Sequence, residues 1–317
     1  MDPTELQQLA QHSRSVRESG FAILFASGVL ALFLFVSYTI HRYATAPSTV
    51  AIATSTEPDA FANIPIEAKA AIVYDLVTGE TLYAKNPDAQ LPLASLTKLL
   101  TIYAALTELS PQTPITISIG ATRVDAPRVF SAGQTFSLSD LARLTLTASL
   151  NDGATAIAEA TAARENRSQD AMLAGAAAAL DLSQTYAVNG NGLDVNSVMS
   201  GGYGSARVLA RLAGSLAVRA PTIAEATTQS STRAVSEGGT LFTVKNTDPM
   251  VGTIPHLLLS KTGYTDLASG NLALVFDIGI QHPIAVVVLG SSKDARFTDG
   301  ATLVAATLAH FAGVASL

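Results

Sequence analysis

Residues 91 to 106 read Leu-Pro-Leu-Ala-Ser-Leu-Thr-Lys-Leu-Leu-Thr-Ile-Tyr-Ala-Ala-Leu. After Pro92 the run consists mainly of good helix formers, with apolar residues three and four positions apart, and this pattern predicts a helix. Residues three apart share one face of a helix, so the hydroxyl of Ser95 and the amine of Lys98 can meet there. Because a serine beside a lysine can supply a nucleophile and its base, the pair predicts an activated serine.

The composition excludes several classes of protein. The chain has 317 residues, of which 48% are hydrophobic, and this is ample for a large core. Its net charge of -6 and the lack of any Lys/Arg cluster argue against nucleic acid as a partner. Cysteine is absent and the five histidines lie singly, so the sequence predicts no disulfide, no metal site and no cofactor.

The first 65 residues predict a membrane attachment. Residues 1–20 are polar, whereas residues 21–40 carry no charge and are long enough as a helix to cross a hydrocarbon core of roughly 30 Å. We expect a single transmembrane helix in contact with lipid, with residues 1–20 in the cytoplasm because Arg14 and Arg17 precede the span. The alternative is a cleaved signal peptide, for which residues 44–46 offer a site. Residues 41–65, rich in Ala, Thr, Ser and Pro, read as a linker.

Residues 66–317 predict one folded, extracytoplasmic catalytic domain. Short apolar runs at 69–76 and 81–84 predict a hairpin, and four further runs between 241 and 289 predict strands. Between these two groups lie four helical patterns from 137 to 218, and the last predicted helix covers 299–311. We therefore expect an α/β (α+β) fold, with a mainly antiparallel sheet built from both ends of the domain, flanking helices and an all-helical subdomain.

Three short motifs follow one another along the chain, namely Ser95-x-x-Lys98, Ser149-x-Asn151 and Lys261-Thr262-Gly263. They fall on a helix start, an interhelical turn and a strand end, respectively. Each motif alone is weak, since such residues often form caps and turns. In this order and placement the trio is typical of class A β-lactamases and penicillin-binding proteins.

The similarity extends beyond the trio, because residues 66–317 resemble the serine D-alanyl-D-alanine carboxypeptidases. These are low-molecular-mass penicillin-binding proteins with a β-lactamase/transpeptidase-like fold. The matching segments are Ala-Ser-Leu-Thr-Lys at 94–98, Thr-Ala-Ser-Leu-Asn-Asp-Gly-Ala at 147–154, Asn-Gly-Asn-Gly-Leu at 189–193, Lys-Thr-Gly-Tyr-Thr-Asp at 261–266 and Ala-Arg-Phe at 295–297. The resemblance implies cleavage of the terminal D-Ala from D-Ala-D-Ala peptidoglycan stem peptides. It also implies β-lactams as covalent inhibitors.

The residue types suggest how the serine is activated. A serine hydroxyl is a poor nucleophile until a base takes its proton. Lys98 can act as that base only when neutral, which burial and a nearby positive charge on Lys261 would both promote. We expect Ser149 to relay a proton to the leaving amine, and Asn151 to hold Lys98 and the substrate amide.

The third motif predicts how the substrate is held. Lys261 and Thr262 can hold the terminal carboxylate of the substrate through charge-assisted hydrogen bonds. Gly263 is expected to leave room for the substrate along the strand. By resemblance to the family, Arg296 joins the carboxylate site, and the backbone N–H groups of Ser95 and Tyr264 form the oxyanion hole.

Other activities compatible with these motifs stay open. A class A β-lactamase uses a glutamate-activated water, but no glutamate lies between Asn166 and Ile223, and this favours a carboxypeptidase. A non-hydrolytic protein that binds β-lactams or stem peptides, and a D,D-endopeptidase, are further alternatives. The chain also departs from the family at Leu150, expected to narrow the cleft, and at Asp248, where the family has asparagine.

Overall fold

The computed structural model describes residues 26–32, 59–279 and 281–313. The chain divides into two compact units, Met1–Thr56 and Glu57–Leu317. In the first unit, residues 26–32 are helical. The rest of the predicted transmembrane segment 21–40, and all of residues 1–20, lie outside the described residues. None of the helices within the described ranges is long and apolar enough to cross a membrane.

The second unit combines short strands with seven helices among its described residues. In chain order the strands are β1 (Ala70–Asp75), β2 (Thr81–Lys85), β3 (Leu91–Pro92), β4 (Pro114–Thr116), β5 (Thr135–Ser137), β6 (Tyr186–Ala187), β7 (Gly202–Gly204), β8 (Ser231–Val235), β9 (Leu241–Lys245), β10 (Leu257–Thr265), β11 (Ser269–Asp277) and β12 (Pro283–Ser291). The helices are α1 (Thr97–Glu108), α2 (Leu138–Ala148), α3 (Asn151–Glu165), α4 (Gln169–Ala179), α5 (Ala206–Arg219), α6 (Pro221–Ala226) and α7 (Ala295–Phe311). Two 3₁₀ turns cover Ala94–Leu96 and Ala121–Arg123.

A five-stranded sheet lies at the centre of this unit. Its strands follow the order β10-β11-β12-β1-β2, and every neighbouring pair is antiparallel. The sheet thus unites the two ends of the second unit, and the predicted antiparallel arrangement is confirmed. Because β10 is an edge strand of this sheet, its outer side is available for other segments.

The two faces of the sheet bury different helices. Along β12, alternate residues point to opposite faces, as they do in any strand. Ala285, Val287 and Leu289 join the core shared with the helical region. Ile284 and Val286 join the core shared with α7. The near-continuous apolar sequence of β12 follows from this burial on both faces.

The helices begin and end where the sequence supplies local signals. The Ser137 hydroxyl accepts a hydrogen bond from the backbone N–H of Asp140 at 3.1 Å, and this cap starts α2. Ser149, with φ of 57°, takes the left-handed conformation that ends the same helix. The next helix, α3, begins two residues later, so Ser149 lies on a sharp turn between two helices.

The structure moves two predicted boundaries. The final helix begins at Ala295 instead of residue 299, which places Arg296 in its first turn. Strand β10 continues to Thr265, so the Lys261-Thr262-Gly263 motif lies within the strand instead of at its end. Phe61, which the sequence assigns to the linker 41–65, is buried, and its ring lies 5.9 Å from that of Tyr83.

Candidate active site

Ser95 lies in the 3₁₀ turn Ala94–Leu96, which we call the Ser95 turn, immediately before α1. The sequence predicted one helix through both Ser95 and Lys98, whereas the α-helix itself starts at Thr97. Ala94 has φ of 47°, an unusual value for a residue with a side chain. Such backbone strain is common where a reactive side chain must be held in one direction.

The amine of Lys98 is the centre of a buried polar cluster. Lys98 is completely buried. Its Nζ lies 2.7 Å from Ser95 Oγ, 2.7 Å from Asn151 Oδ1 and 2.6 Å from the backbone oxygen of Asn191. A neutral amine has two N–H donors and one lone pair. If the two donors serve the asparagine oxygens, the lone pair is left to accept the Ser95 proton.

The electrostatic surroundings favour this neutral form of Lys98. Burial is the largest cause of a pKa well below the usual value of a lysine, and the positive charge of Lys261 adds to it. The carboxylate of Asp152 opposes both effects. A neutral lysine 2.7 Å from a serine hydroxyl has the geometry of a general base.

Asn151 holds Lys98 from the start of α3. Its side-chain N–H groups donate to the backbone oxygens of Asp125 and Ala126, both at 3.0 Å, while its oxygen accepts from Lys98. Asn151 thus makes the hydrogen bond with Lys98 that the sequence predicts. It leaves no free N–H for the substrate amide, so the structure gives no support to the second half of that expectation.

Ser149 and Lys261 connect the interhelical turn to the sheet. Lys261 Nζ donates to Ser149 Oγ at 2.9 Å and to the backbone oxygen of Thr262 at 2.7 Å. Burial, followed by the charge of Arg296, lowers the pKa of Lys261 to about 7, and Asp248 opposes this shift. A lysine with this pKa exists in both its charged and its neutral form near neutral pH.

The residues that the sequence predicts to hold the substrate carboxylate lie on β10 and α7. Arg296 Nη1 donates to the backbone oxygen of Gly263 at 2.6 Å. The hydroxyl oxygens of Thr262 and Thr247 lie 2.6 Å apart, which fixes the direction of the Thr262 side chain. Burial lowers the pKa of Arg296, although a guanidinium stays charged at any ordinary pH. Thr262 and the two cationic side chains, Lys261 and Arg296, are thus close enough together to bind one anionic group.

Gly263 also has a structural role that the sequence did not predict. A Cβ atom at this position would lie 2.9 Å from the backbone oxygen of Leu93 and 3.3 Å from the backbone nitrogen of Ser95. The glycine therefore permits β10 to approach the Ser95 turn closely. Tyr264, the next residue, is almost half exposed, and its ring lies 5.4 Å from Lys293 Nζ.

Sequence reasoning missed several residues that support the site. Asn191 contributes its backbone oxygen, which any type of residue could supply, although the segment 189–193 is one of those that match the family. Asp152 is fully buried and accepts hydrogen bonds from the backbone N–H groups of Val129 and Phe130 at 2.7 and 2.8 Å. It thereby fixes the loop that Asn151 also contacts.

Two departures from the family pattern have a structural explanation. Leu150 is buried within the core, so the expectation that it narrows the cleft is wrong. Asp248 is buried behind β10, where it accepts hydrogen bonds from Ser260 Oγ at 2.6 Å and from the backbone N–H of Met250 at 2.8 Å. Across residues 26–32, 59–279 and 281–313, no cluster of His, Cys, Asp and Glu could hold a metal ion.

Comparison with known families agrees with this geometry. The model of the peptidase S11 family, described as D-alanyl-D-alanine carboxypeptidase, matches residues 53–293. The chain belongs to this family of serine peptidases. A D-alanyl-D-alanine endopeptidase from Pseudomonas aeruginosa is 31% identical over 267 residues, which cover 80% of this chain and 83% of the relative.

Solved structures show the same fold. Penicillin-binding protein D2 of Listeria monocytogenes, solved in an ampicillin-bound form, is 27% identical with a TM-score of 0.65, and the match covers 77% of this chain and 98% of that one. A D-alanyl-D-alanine carboxypeptidase of Mycobacterium tuberculosis H37Rv is 23% identical with a TM-score of 0.67, covering 78% and 95% of the two chains. The expected transpeptidase-like fold is confirmed.

Proposed function

We propose that this D,D-carboxypeptidase removes the terminal D-Ala from D-Ala-D-Ala stem peptides of peptidoglycan through an acyl-enzyme on Ser95. The observation that supports the assignment of Ser95 most directly is the 2.7 Å separation of its hydroxyl from the buried amine of Lys98. Burial and a neighbouring cation favour the neutral, basic form of that amine. Lys98 is then ready to take the serine proton before substrate binds.

In the acylation step, Ser95 Oγ attacks the carbonyl carbon of the penultimate D-Ala, and its proton passes to Lys98 Nζ. The backbone N–H groups of Ser95 and Tyr264 donate to the oxygen that becomes negative. Lys261, Thr262 and Arg296 hold the terminal carboxylate, as charge-assisted donors do. These contacts fix the scissile bond next to the nucleophile.

Collapse of the tetrahedral intermediate then breaks the C–N bond. The departing amine takes a proton from Ser149 Oγ, and the proton that Lys98 took from Ser95 then replaces it, so Lys98 is neutral again. Lys261 Nζ, which lies 2.9 Å from Ser149 Oγ, keeps its own proton and orients that hydroxyl. In the second half of the reaction, water attacks the ester carbon and gives a proton to Lys98, which passes it to Ser95 Oγ as the ester bond breaks. The products are free D-Ala, the shortened peptide and the regenerated Ser95 hydroxyl.

A β-lactam would be attacked in the same way, but its amine remains tethered to the acyl group after the ring opens. Slow hydrolysis of that ester makes β-lactams covalent inhibitors. Support for this comes from the similar Listeria monocytogenes protein, which was solved in ampicillin- and cefotaxime-bound forms. The lack of a glutamate between Asn166 and Ile223 supports slow release over β-lactamase turnover.

The test is release of D-Ala from a D-Ala-D-Ala peptide by the purified chain. Ser95→Ala should abolish both release and covalent labelling by penicillin, whereas a control change at the exposed Ser230, Ser230→Ala, should leave both unchanged. Undiminished release by Ser95→Ala would contradict the assignment. Penicillin labelling of the unmodified chain without any release would instead indicate the non-hydrolytic alternative.

Endopeptidase action is a second candidate, favoured by the name of the Pseudomonas aeruginosa relative. It requires the same attack and the same carboxylate site, but a larger leaving group must fit beyond the scissile bond. A cross-linked dimeric stem peptide and a monomeric pentapeptide distinguish the two activities. Faster cleavage of the dimer at equal enzyme concentration would support an endopeptidase.

A membrane location is also proposed, with residues 1–20 in the cytoplasm and the catalytic unit outside the cell. Its support is the uncharged sequence from 21 to 40. After cell fractionation the full chain should sediment with membranes, and deletion of residues 1–40 should release it. An unchanged distribution of the deletion variant would contradict the anchor.

A further inference from the structure

A short loop beside the active site exposes three apolar side chains. Residues 195–199, the 195–199 loop, read Val-Asn-Ser-Val-Met and carry no charge. Val195 is 52% exposed, Val198 is 82% exposed and Met199 is 44% exposed. Single exposed apolar residues are common on proteins, but a group of three on one uncharged loop indicates a contact surface.

Internal hydrogen bonds hold the loop in one shape. The backbone N–H of Val195 donates to the backbone oxygen of Met199 at 2.8 Å. The N–H groups of Val198 and Met199 both donate to Asn196 Oδ1 at 2.9 Å. The apolar side chains are therefore presented to solvent by a formed turn, and binding to them requires little further ordering.

The residues just before the loop attach it to the catalytic centre. Asp194 accepts hydrogen bonds from Thr265 Oγ1 at 3.0 Å and from the backbone N–H of Leu267 at 3.3 Å. Three residues earlier, the backbone oxygen of Asn191 contacts Lys98 Nζ. The segment 191–194 thus runs from Lys98, the proposed general base, to the end of β10, and the 195–199 loop begins at that end.

The proposed carboxylate site sets the direction of the bound peptide. The terminal carboxylate lies at Lys261 and Thr262, and the oxyanion donor on the strand is Tyr264. The peptide upstream of the scissile bond must then leave past Thr265. Thr265 is two residues beyond Gly263, a separation of about 7 Å along a strand. Upstream residues therefore reach Asp194 and the loop within about two residues of the D-Ala pair.

We propose that the 195–199 loop binds the aliphatic part of the stem peptide upstream of the D-Ala-D-Ala pair, making the enzyme selective for complete stem peptides. This inference rests on the proposed function. The side chains of Val195, Val198 and Met199 would contact the methylene groups of the longer stem residues. Because the loop carries no charge, the polar groups of those stem residues would stay in water. The loop is thus a specificity determinant that contacts no reacting atom.

The experiment compares an acetylated D-Ala-D-Ala dipeptide with a complete pentapeptide stem that ends in the same two residues. The double variant Val195→Ser, Val198→Ser is tested in the full chain. The matched control is Val218→Ser, since Val218 is an equally small apolar residue that is 78% exposed on α5. We expect the double variant to raise the KM for the pentapeptide about 5- to 20-fold. Its kcat for the pentapeptide, and its kcat and KM for the dipeptide, should stay within about twofold of the values of the unmodified chain.

An unchanged pentapeptide KM, an equal loss with the dipeptide, or an equal loss in Val218→Ser would each overturn the inference. If the unmodified chain released no D-Ala from either peptide, the proposed function would fail separately. Calorimetric binding of the two peptides to the Ser95→Ala chain then decides the inference. The pentapeptide must bind more tightly than the dipeptide, and the loop substitutions must remove that difference.

Discussion

Replacing Gly263 with alanine is expected to slow acylation of Ser95 by about 10- to 100-fold. The new Cβ atom would lie 2.9 Å from the backbone oxygen of Leu93, whereas an ordinary contact begins near 3.4 Å, so the Ser95 turn must retreat by about 0.5 Å. A misplacement of about 1 Å can cost 10²-fold in rate, and complete loss of an oxyanion donor costs about 10²–10³-fold. A displacement of half that size, which moves the Ser95 N–H without removing it from the oxyanion site, gives the expected range.

The assay is the second-order rate of covalent labelling by a fluorescent penicillin. Gly252→Ala is the matched control, because a Cβ atom at that position meets no atom within 4 Å. Overpacking at Gly263 should also cost about 1–3 kcal/mol of stability, visible in thermal unfolding. Labelling of a folded Gly263→Ala chain within twofold of the unmodified rate would refute the reasoning, as would an equal loss in Gly252→Ala.

Three further predictions concern buried charges. With Lys261 at a pKa of about 7, kcat/KM for D-Ala release should fall above that pH as the charge that holds the substrate carboxylate is lost. Lys261→Arg should move this alkaline limb upward, and an unmoved limb would argue against Lys261 as its cause. Asp248→Asn removes the anion that supports this charge, so the limb should move to lower pH, and a shift to higher pH would contradict the role. Asp152→Asn should destabilise the chain by about 1–3 kcal/mol in urea unfolding. The new NH2 group is a donor and would point at a backbone N–H of Val129, Phe130 or Gly153, which is also a donor. An unchanged midpoint would contradict this prediction.

The central pair and the antiparallel sheet could be predicted because their signals are local. Ser95 and Lys98 are three residues apart at the start of a helix, and this spacing alone brings their side chains together. Ser149 and Lys261 are distant in sequence, and only the order of three family motifs placed them in one site. The near-continuous apolar run of β12 likewise reflects burial on both of its faces.

The rest of the site depends on contacts that no short pattern contains. A backbone oxygen such as that of Asn191 can belong to any residue, so its contact with Lys98 becomes visible only after the chain has folded. Strands of two or three residues, such as β3 and β7, are too short to show a period of two. Asn151 showed the right residue type, but its partners at Asp125 and Ala126 lie in a loop without a recognisable pattern.

The central claim is that Lys98 is neutral in the free enzyme and is therefore ready to take the Ser95 proton. NMR titration of the lysine side-chain signals tests it most directly, since the chain has only six lysines and variants can assign each signal. The structure predicts that Lys98 titrates well below the usual lysine pKa, because its amine is buried and lies near the charge of Lys261. A Lys98 signal that titrates near the ordinary lysine value of about 10.4 would contradict the account.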